Sequence, residues 1–529
     1  MSVPSAPAAP RSPLATPLFR ALWIATIVSN IGTWMNDVGS SWLMTSLSPS
    51  PLWVAMVQAA TTLPMFLFAL PAGALADVID RRKLLIASQL LILLGAASLA
   101  TTTFLGLTTP LVLLGLTAVM GLGAALSAPA FQAIVPELVE KPALADAISL
   151  NSLGVNIARA IGPALGGVIV ALSGPAAVYA LNAVSVLAVL GVLVMWRRQA
   201  VASTLPAEHF FGAVRAGYRY ARHAPALQLV LVRSIAFFLF SSALWALLPL
   251  VGRRELGLDA AGYGALLGCM GAGAILGAVM LSRVRKRMNA NRLSIIASLL
   301  FALATFALAH AVNVWIAGLV MVVAGLAWIT MLSGLNVAAQ MAVPAWVKAR
   351  ALAIYLLVFQ GAMTAGSIVW GALASRTDIT TALTVASAAM ALATLIALRF
   401  PLPAANAVDL TPSGHWVEPA VSGEHASDRG PVMILIEYRV DPARTADFVR
   451  VLHGFKAVRK RDGALRWDVF EDAGTPGLVI ESFVVGSWLE HLRQHERVTH
   501  DDRLTQEQIA RFHIGDAPPV VRHLIAPRI

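Results

Sequence analysis

Asp37 is the one carboxylate that falls inside a long apolar stretch of this chain. With Asn30, Trp34 and Ser41 it makes a run spaced by four, three and four residues, which lines one face of a helix. An acid in hydrocarbon is costly as an anion, so it carries a proton, binds a cation or pairs with one. Asp37 is therefore expected to bind a coupling proton or a cationic group of a substrate. The alternative is a structural acid paired with a cation, most simply Arg159, which lies roughly 20 Å along another apolar stretch. Arg159 either neutralises Asp37 or holds an anionic substrate. Arg233 stands about two turns from a stretch end and is expected to snorkel to the surface. Gln58, Ser333, Asn336, Gln340 and Gln360 fall in other apolar stretches, where they line a cavity or bond helix to helix. Trp34, Trp245 and Trp328 either stack on a planar substrate or fill space.

These residues need long apolar helices around them, and the composition supplies them. Of 529 residues, 58% are hydrophobic and 13% charged. Neither Val38–Ala76 nor Leu84–Pro136 contains a single Asp, Glu, Lys or Arg. Runs this bare belong in lipid. Stretches long enough to cross a bilayer fall near 18–46, 52–75, 83–106, 110–133, 147–172, 175–196, 226–251, 260–282, 293–311, 314–338, 350–374 and 379–399, which makes twelve. One set of connections is basic, with Arg20, Arg81, Arg82, Lys83, Lys141, Arg283, Arg285, Lys348 and Arg350. The other set is free of formal charge, except that Arg253 and Arg254 stand with Glu255 and Asp259, and Arg376 with Asp378. The positive-inside rule then puts both ends of this multi-pass membrane part, and both termini, in the cytoplasm. Topology accounts for the basic balance, and no nucleic acid partner is expected. Residues 1–17 read as a disordered N-terminus, 18–196 and 226–400 as two six-helix bundles, 197–225 as a cytoplasmic loop and 401–430 as a linker. The halves repeat weakly: Gln132, Val135, Pro136 and Val139 recur as Gln340, Val343, Pro344 and Val347. Two duplicated halves enclose a site near the midplane and rock about it.

The loop Gly73-Ala-Leu-Ala-Asp77-Val-Ile-Asp80-Arg81-Arg82-Lys83 resembles the loop 2–3 signature of the major facilitator superfamily, with Asp80 where the general pattern has glycine. Stretches 29–35, 129–138, 151–167 and 335–355 are similar to the enterobactin-exporter-like branch, so the resemblance covers most of 18–400. It implies that Gly73, Asp77, Arg81 and Arg82 form a conformational latch, Asp77 binding near a helix N-terminus of the other half. Gly162-Pro163-Ala-Leu-Gly166-Gly167 resembles the superfamily's antiporter motif, with Ala158 and Ser149 where glycines stand upstream. The alternative for this motif is close helix packing alone.

Residues 431–529 differ in kind. Strands at 432–440, 464–471, 477–485 and 519–525 alternate with helices at 441–460 and 487–513, the ferredoxin-like order. This segment is similar to the dimeric α/β-barrel domains related to antibiotic-biosynthesis monooxygenases, and is expected to be a cytoplasmic homodimerisation or regulatory module. Of His491, His495 and His500, the i and i+4 pair shares a helix face but no acid or third histidine joins it at dependable spacing, so no metal site and no cofactor are expected. The single Cys269 excludes intrachain disulfides. The fold class is thus an all-α membrane protein with a small α+β domain. Its leading function is secondary efflux of an amphipathic small molecule, drug or siderophore, coupled to protons. Ion-coupled uptake and a transporter fused to a monooxygenase-like enzyme are the alternatives. No phosphate-binding glycine-rich loop supports ATP drive.

Overall fold

Helix starts are written into this sequence as proline or as a capping side chain, and the structure begins its helices there. The computed structural model describes residues 12–196, 210–402, 409–416, 429–515 and 517–527. Pro17, Pro51, Pro110 and Pro175 open α1 (Pro17–Leu47), α2 (Pro51–Val78), α4 (Pro110–Leu138) and α6 (Pro175–Met195). Proline suits the first turn, where its missing N–H has no partner to lose. Asp80 caps α3 (Arg81–Phe104) by accepting from the Lys83 N–H at 3.0 Å. Between α4 and α6 runs α5 (Leu144–Ser173). The second half comprises α8 (Pro225–Leu250), α9 (Ala260–Val284), α10 (Ala290–Ala309), α11 (Val314–Met341), α12 (Lys348–Arg376) and α13 (Ile379–Ala397). Asp259, Asn289 and Asp378 cap α9, α10 and α13.

Eleven helices among the described residues are long and apolar enough to cross a membrane, against the twelve the sequence predicts. The missing one is α1. It has 31 residues, but its apolar character is diluted by the Thr, Ser, Asn and Asp residues of 26–41. It packs against α5 and α6 as an integral member of the first half. The helices are inside out relative to a soluble protein, with Leu111 and Leu319 71% and 68% exposed while Asn182, Ser234 and Ser367 are fully buried.

The chain divides into two compact units. One comprises Met1–Pro206, Val232–Leu335 and Leu356–Pro401, the other Ala207–Leu231, Asn336–Tyr355 and Leu402–Ile529. The second unit holds a helix where the sequence predicts a loop, α7 (Phe210–His223). Its Tyr220, Ala221 and Ala224 are buried with Ala342, Val343 and Val347 from the α11–α12 turn. Here the signal is a 3.6-residue period in a polar segment, hidden from a reading that looks for apolar length.

The rest of the second unit is a β-α-β-β-α-α-β domain. Its elements are β1 (Val432–Arg439), α14 (Thr445–Asp462), β2 (Arg466–Glu471), β3 (Leu478–Val485), α15 (Trp488–Arg497), α16 (His500–Ala510) and β4 (Val520–Ile525). The sheet order is β2-β3-β1-β4, antiparallel throughout, with Ile434 opposite Phe483 on one side and His523 on the other. The single helix expected over 487–513 is two. Thr499 stops the first and caps the second in a reciprocal box with Asp502, whose carboxylate accepts from the Thr499 N–H at 3.0 Å. Part of the expected linker lies on this domain, where the Ser413 N–H donates to the Val498 carbonyl at 2.9 Å. Residues 1–11, 403–408 and 417–428, which fall in the expected N-terminal and linker segments, lie outside the described residues.

Candidate functional site

Trp34 on α1 begins the site. Its Cβ sits so close to α5 that a Cβ built on Gly162 would stand 2.5 Å away. Glycine lets the two backbones meet there, and the indole then projects toward the second half. Its ring centroid is 6.4 Å from that of Trp245 on α8, which in turn meets Trp328 on α11 edge-on at 5.3 Å. The Arg159 guanidinium lies 5.8 Å from the Trp34 ring, within cation–π range. Trp34, Arg159, Pro163, Trp245 and Trp328 enclose a cavity of about 20 Å³, enough for roughly one water. The buried Trp245 indole N–H has no hydrogen-bond partner among the described residues.

Asp37 stands one turn along α1 from Trp34 and is half-buried. No ion pair joins it to Arg159 among the described residues, so the simplest structural pairing the sequence offers is not made. Beyond Asp37, Trp42 stacks on Tyr263 at 5.7 Å, and Arg253 lies 5.5 Å from the Trp42 ring. Arg253 also donates to the Thr45 hydroxyl at 2.8 Å and to Ser46. Asp37 thus sits along α1 between the tryptophan cluster and the clasp of Trp42, Tyr263 and Arg253. Trp42, Tyr263 and Arg253 were not singled out by sequence reasoning, although Arg253 with Arg254 broke the charge alternation of the loops.

The remaining residues separate into groups. Thr62 of α2 and Thr364 of α12 share a hydrogen bond of 2.7 Å across the halves. Gln58 is one turn before Thr62, and Gln360 one turn before Thr364. Because α2 and α12 run antiparallel, with Leu52 near Ser375 and Phe66 near Gly361, the two glutamines flank this bond on opposite sides, roughly 12 Å apart along the axis. Asn30 is one turn from Trp34 on the other side from Asp37 and is half-buried. Ser333 accepts from Arg285 at 3.1 Å. In the second unit Gln340 donates to Asn336 at 2.6 Å, so these two amides satisfy each other. Arg233 is held by Asn291, the Ser294 hydroxyl and the carbonyls of Ala397 and Phe400.

Gly162, Gly166 and Gly167 serve two faces of one helix. Gly166 meets Met35 of α1, where a Cβ would be 2.8 Å from the Met35 Cα, while a Cβ on Gly167 would be 2.7 Å from the Gly264 Cα on α9. The motif therefore joins α5 to its own half and to the opposite one. In the loop after α2, Arg81 binds Glu137 at 2.8 Å and the Ala133 carbonyl, and Arg82 binds the carbonyls of Leu193 and Val194. Both arginines fasten helix ends within the first half. A Cβ on Gly73 would meet nothing within 4 Å. The Asp77 side chain lies outside the described residues.

The profile of the family described as transmembrane secretion effector matches residues 8–528. The chain belongs to this family of the major facilitator superfamily. A staphyloferrin A transporter of Staphylococcus aureus is 32% identical over 146 residues, 27% of this chain and 36% of the relative. The chain thus spans about a third of that protein. The enterobactin exporter of Salmonella typhimurium is 26% identical over 325 residues, 60% of this chain and 76% of the exporter. Among solved structures, a POT family transporter in complex with 5-aminolevulinic acid superposes with a TM-score of 0.62 at 14% identity, covering 72% of this chain and 96% of the other. The nucleoside transporter NupG gives 0.61 at 13%, covering 72% and 99%. Within the described residues no group of three or more His, Cys, Asp or Glu has metal-binding geometry. His500 is bonded to Thr411, away from His491 and His495.

Proposed function

We propose that this chain is a secondary active exporter of amphipathic small molecules, of drug or siderophore class, working across the bacterial cytoplasmic membrane by proton antiport and alternating access. In this reading α1 makes a twelfth crossing, both termini are cytoplasmic, and the C-terminal domain is ferredoxin-like and pairs with a second copy. The substrate class is carried over from the staphyloferrin and enterobactin relatives.

The observation that carries the proposal is that the ties between halves run from one end of the bundle to its middle, where Thr62 meets Thr364. Arg253 holds Thr45 and Ser46, Arg254 holds the Pro49 carbonyl, and Ser375 accepts from the Leu52 N–H at 2.9 Å. Gly167 and Gly264 touch toward the same end. By the positive-inside reading this end faces outward, which makes the structure an inward-facing or occluded stage of a rocking cycle. Asp37 is the proton carrier, placed between clasp and vestibule. Trp34, Trp245, Trp328 and Arg159 contact the substrate, with the unsatisfied Trp245 N–H ready for an acceptor on it. Asn30, Gln58, Gln360, Asn336 and Gln340 contribute polar lining as the halves move. Gly73, Asp77, Arg81 and Arg82 act as the latch of the opposite state.

Everted vesicles carrying a pH-sensitive dye test this. With an acid lumen, adding a siderophore or lipophilic drug outside should release lumenal protons in vesicles with the wild-type chain and not in those with Asp37→Asn. Proton release that persists undiminished in Asp37→Asn would remove Asp37 from the mechanism. No release with any substrate, together with uptake in intact cells, would favour import.

A further inference from the structure

The C-terminal domain encloses a cavity of about 910 Å³ that the transport reading does not use. That volume suits a drug-sized molecule. Ile434, Ile436 and Phe483 of the sheet and Phe455 of α14 give it an apolar lining, His523 of β4 stands beside Ile434 on the same sheet face, and α15 adds His491 and His495. The imidazoles lie close together, with ring centroids of His491 4.8 Å from those of both His495 and His523. The His491 side chain is 2% exposed, and its Nδ1 makes no hydrogen bond of acceptable geometry among the described residues. Arg459, the nearest buried charge, is already neutralised by Glu481 through bonds of 2.8 and 3.1 Å.

This chemistry selects a ligand. Burial, with the neighbouring imidazoles, pulls His491 down to about 3 and His495 down to about 4, so near neutral pH both rings are uncharged. Neutral imidazole nitrogens accept hydrogen bonds from O–H groups, and the aromatic and aliphatic wall accepts a flat ring. No unpaired buried charge greets an anion or a cation.

The helix that carries two of these histidines has a second face. On α15, Glu490 accepts from Arg497 and, at 3.0 Å, from Arg219 of α7, while the Arg497 guanidinium lies 4.5 Å from the ring of Trp346 in the α11–α12 turn. Ten residues therefore touch the cavity on one side and the α7 and α11–α12 segments on the other.

We propose that the cavity is a binding site for a neutral, hydroxylated aromatic molecule, and that α15 transmits its occupancy to α7 and the α11–α12 turn. This goes beyond the transport reading, and its test reads binding and exchange rather than flux. The full chain in detergent is titrated with resveratrol as the neutral phenolic probe and with anilinonaphthalene sulfonate as its anionic counterpart. Hydrogen exchange is then followed with and without the bound probe. Resveratrol should bind in preference to the sulfonate and slow exchange in residues 488–497, 215–223 and 341–350. Ile436→Trp, which fills the cavity, and His491→Leu with His495→Leu should each weaken binding by about tenfold or more. Val521→Trp is the second cavity-filling variant should either of these disturb the exchange pattern of β1 and β3. Glu490→Gln with Arg497→Gln should keep the affinity within about threefold yet abolish the response at 341–350. The proposal is overturned by absent resveratrol binding, by preference for the sulfonate, by affinity unmoved in the cavity variants, or by an exchange response confined to 429–527.

Discussion

Glu481 of β3 is fully buried and accepts from four donors: Arg459 Nε at 2.8 Å and Nη2 at 3.1 Å, Trp467 Nε1 at 2.9 Å and the Tyr438 hydroxyl at 3.2 Å. Burial alone would lower the Arg459 pKa, but the Glu481 carboxylate more than offsets it and the net direction is upward. Removing one partner of such a pair strands the other, which costs about 3–5 kcal/mol, whereas replacing both with apolar residues is near neutral. Arg459→Met should therefore destabilise the domain by that amount, and adding Glu481→Leu should recover most of it, as read by denaturant unfolding followed through exchange of β1 and β3. Equal loss in the single and double variants would refute the pairing argument. Nothing in the sequence marks this pair, since its members stand 22 residues apart on a helix and a strand with ordinary charge patterns. Asp37 was the opposite case, visible at once because hydrocarbon neighbours make a lone carboxylate conspicuous. The clasp of Trp42, Tyr263 and Arg253 beyond it was not visible, because contacts between separate helices leave no local spacing to read.

At the scale of elements, helix starts were legible because a first-turn proline such as Pro51, or a cap such as Asp80, Asp259 or Asp378, acts on its own next turn. The break between α15 and α16 was legible in principle as Thr499 followed three residues later by Asp502, but the continuous polar pattern masked it. α5 shows what spacing conveys and what it omits. The small residues of 162–167 announced close packing, while the partners, Met35 on one face and Gly264 on the other, required the fold. Gly167→Val should wedge α5 from α9 and cost roughly 1–3 kcal/mol, lowering the melting temperature of the purified protein, whereas Gly73→Ala, with open space around it, should not. Matching losses in both would argue against the close approach. α15 adds a pH dependence. Its histidines have folded-state values of about 3 and about 4, below the ordinary 6.5, so their contribution to stability is fully present above pH 6.5 and declines as pH falls below it. Glu490 acts in the same direction at lower pH: burial pushes it up, Arg497 and Arg219 more than offset that, and the depressed carboxylate stabilises until acid reaches it. Exchange in β1 and α15 should accelerate between pH 7.5 and pH 5 beyond the change in an unstructured peptide, and His491→Leu with His495→Leu should flatten that dependence.

At the scale of the whole molecule, bare apolar runs and basic loops carried the membrane assignment, because the bilayer acts on composition rather than on specific contacts. The count of crossings was less legible, since the polar residues of 26–41 dilute the apolar character of α1 and it falls below the other eleven. Which end is closed was not legible at all, because it depends on pairs such as Arg253 with Thr45, 208 residues apart. That closure yields the last prediction. Arg253 makes two hydroxyl bonds and a ring contact with residues 42–46, all near the surface, where such bonds contribute about 0.5–1.5 kcal/mol each. Under the alternating access proposed above, losing a net one or two kcal/mol from one of the two states shifts their ratio by about 5–30-fold. Arg253→Ala should therefore favour the state open at this end. In a background with Cys269→Ala and Ser41→Cys, a membrane-impermeant thiol reagent added from that side should label position 41 faster by that factor. The same change made at Arg254, which holds only the Pro49 carbonyl, should give a smaller acceleration. Unchanged labelling in Arg253→Ala would mean that the Gly167–Gly264 contact and the Ser375 bond to Leu52 close this end without the arginine, and Gly167→Val would then be the substitution that opens it.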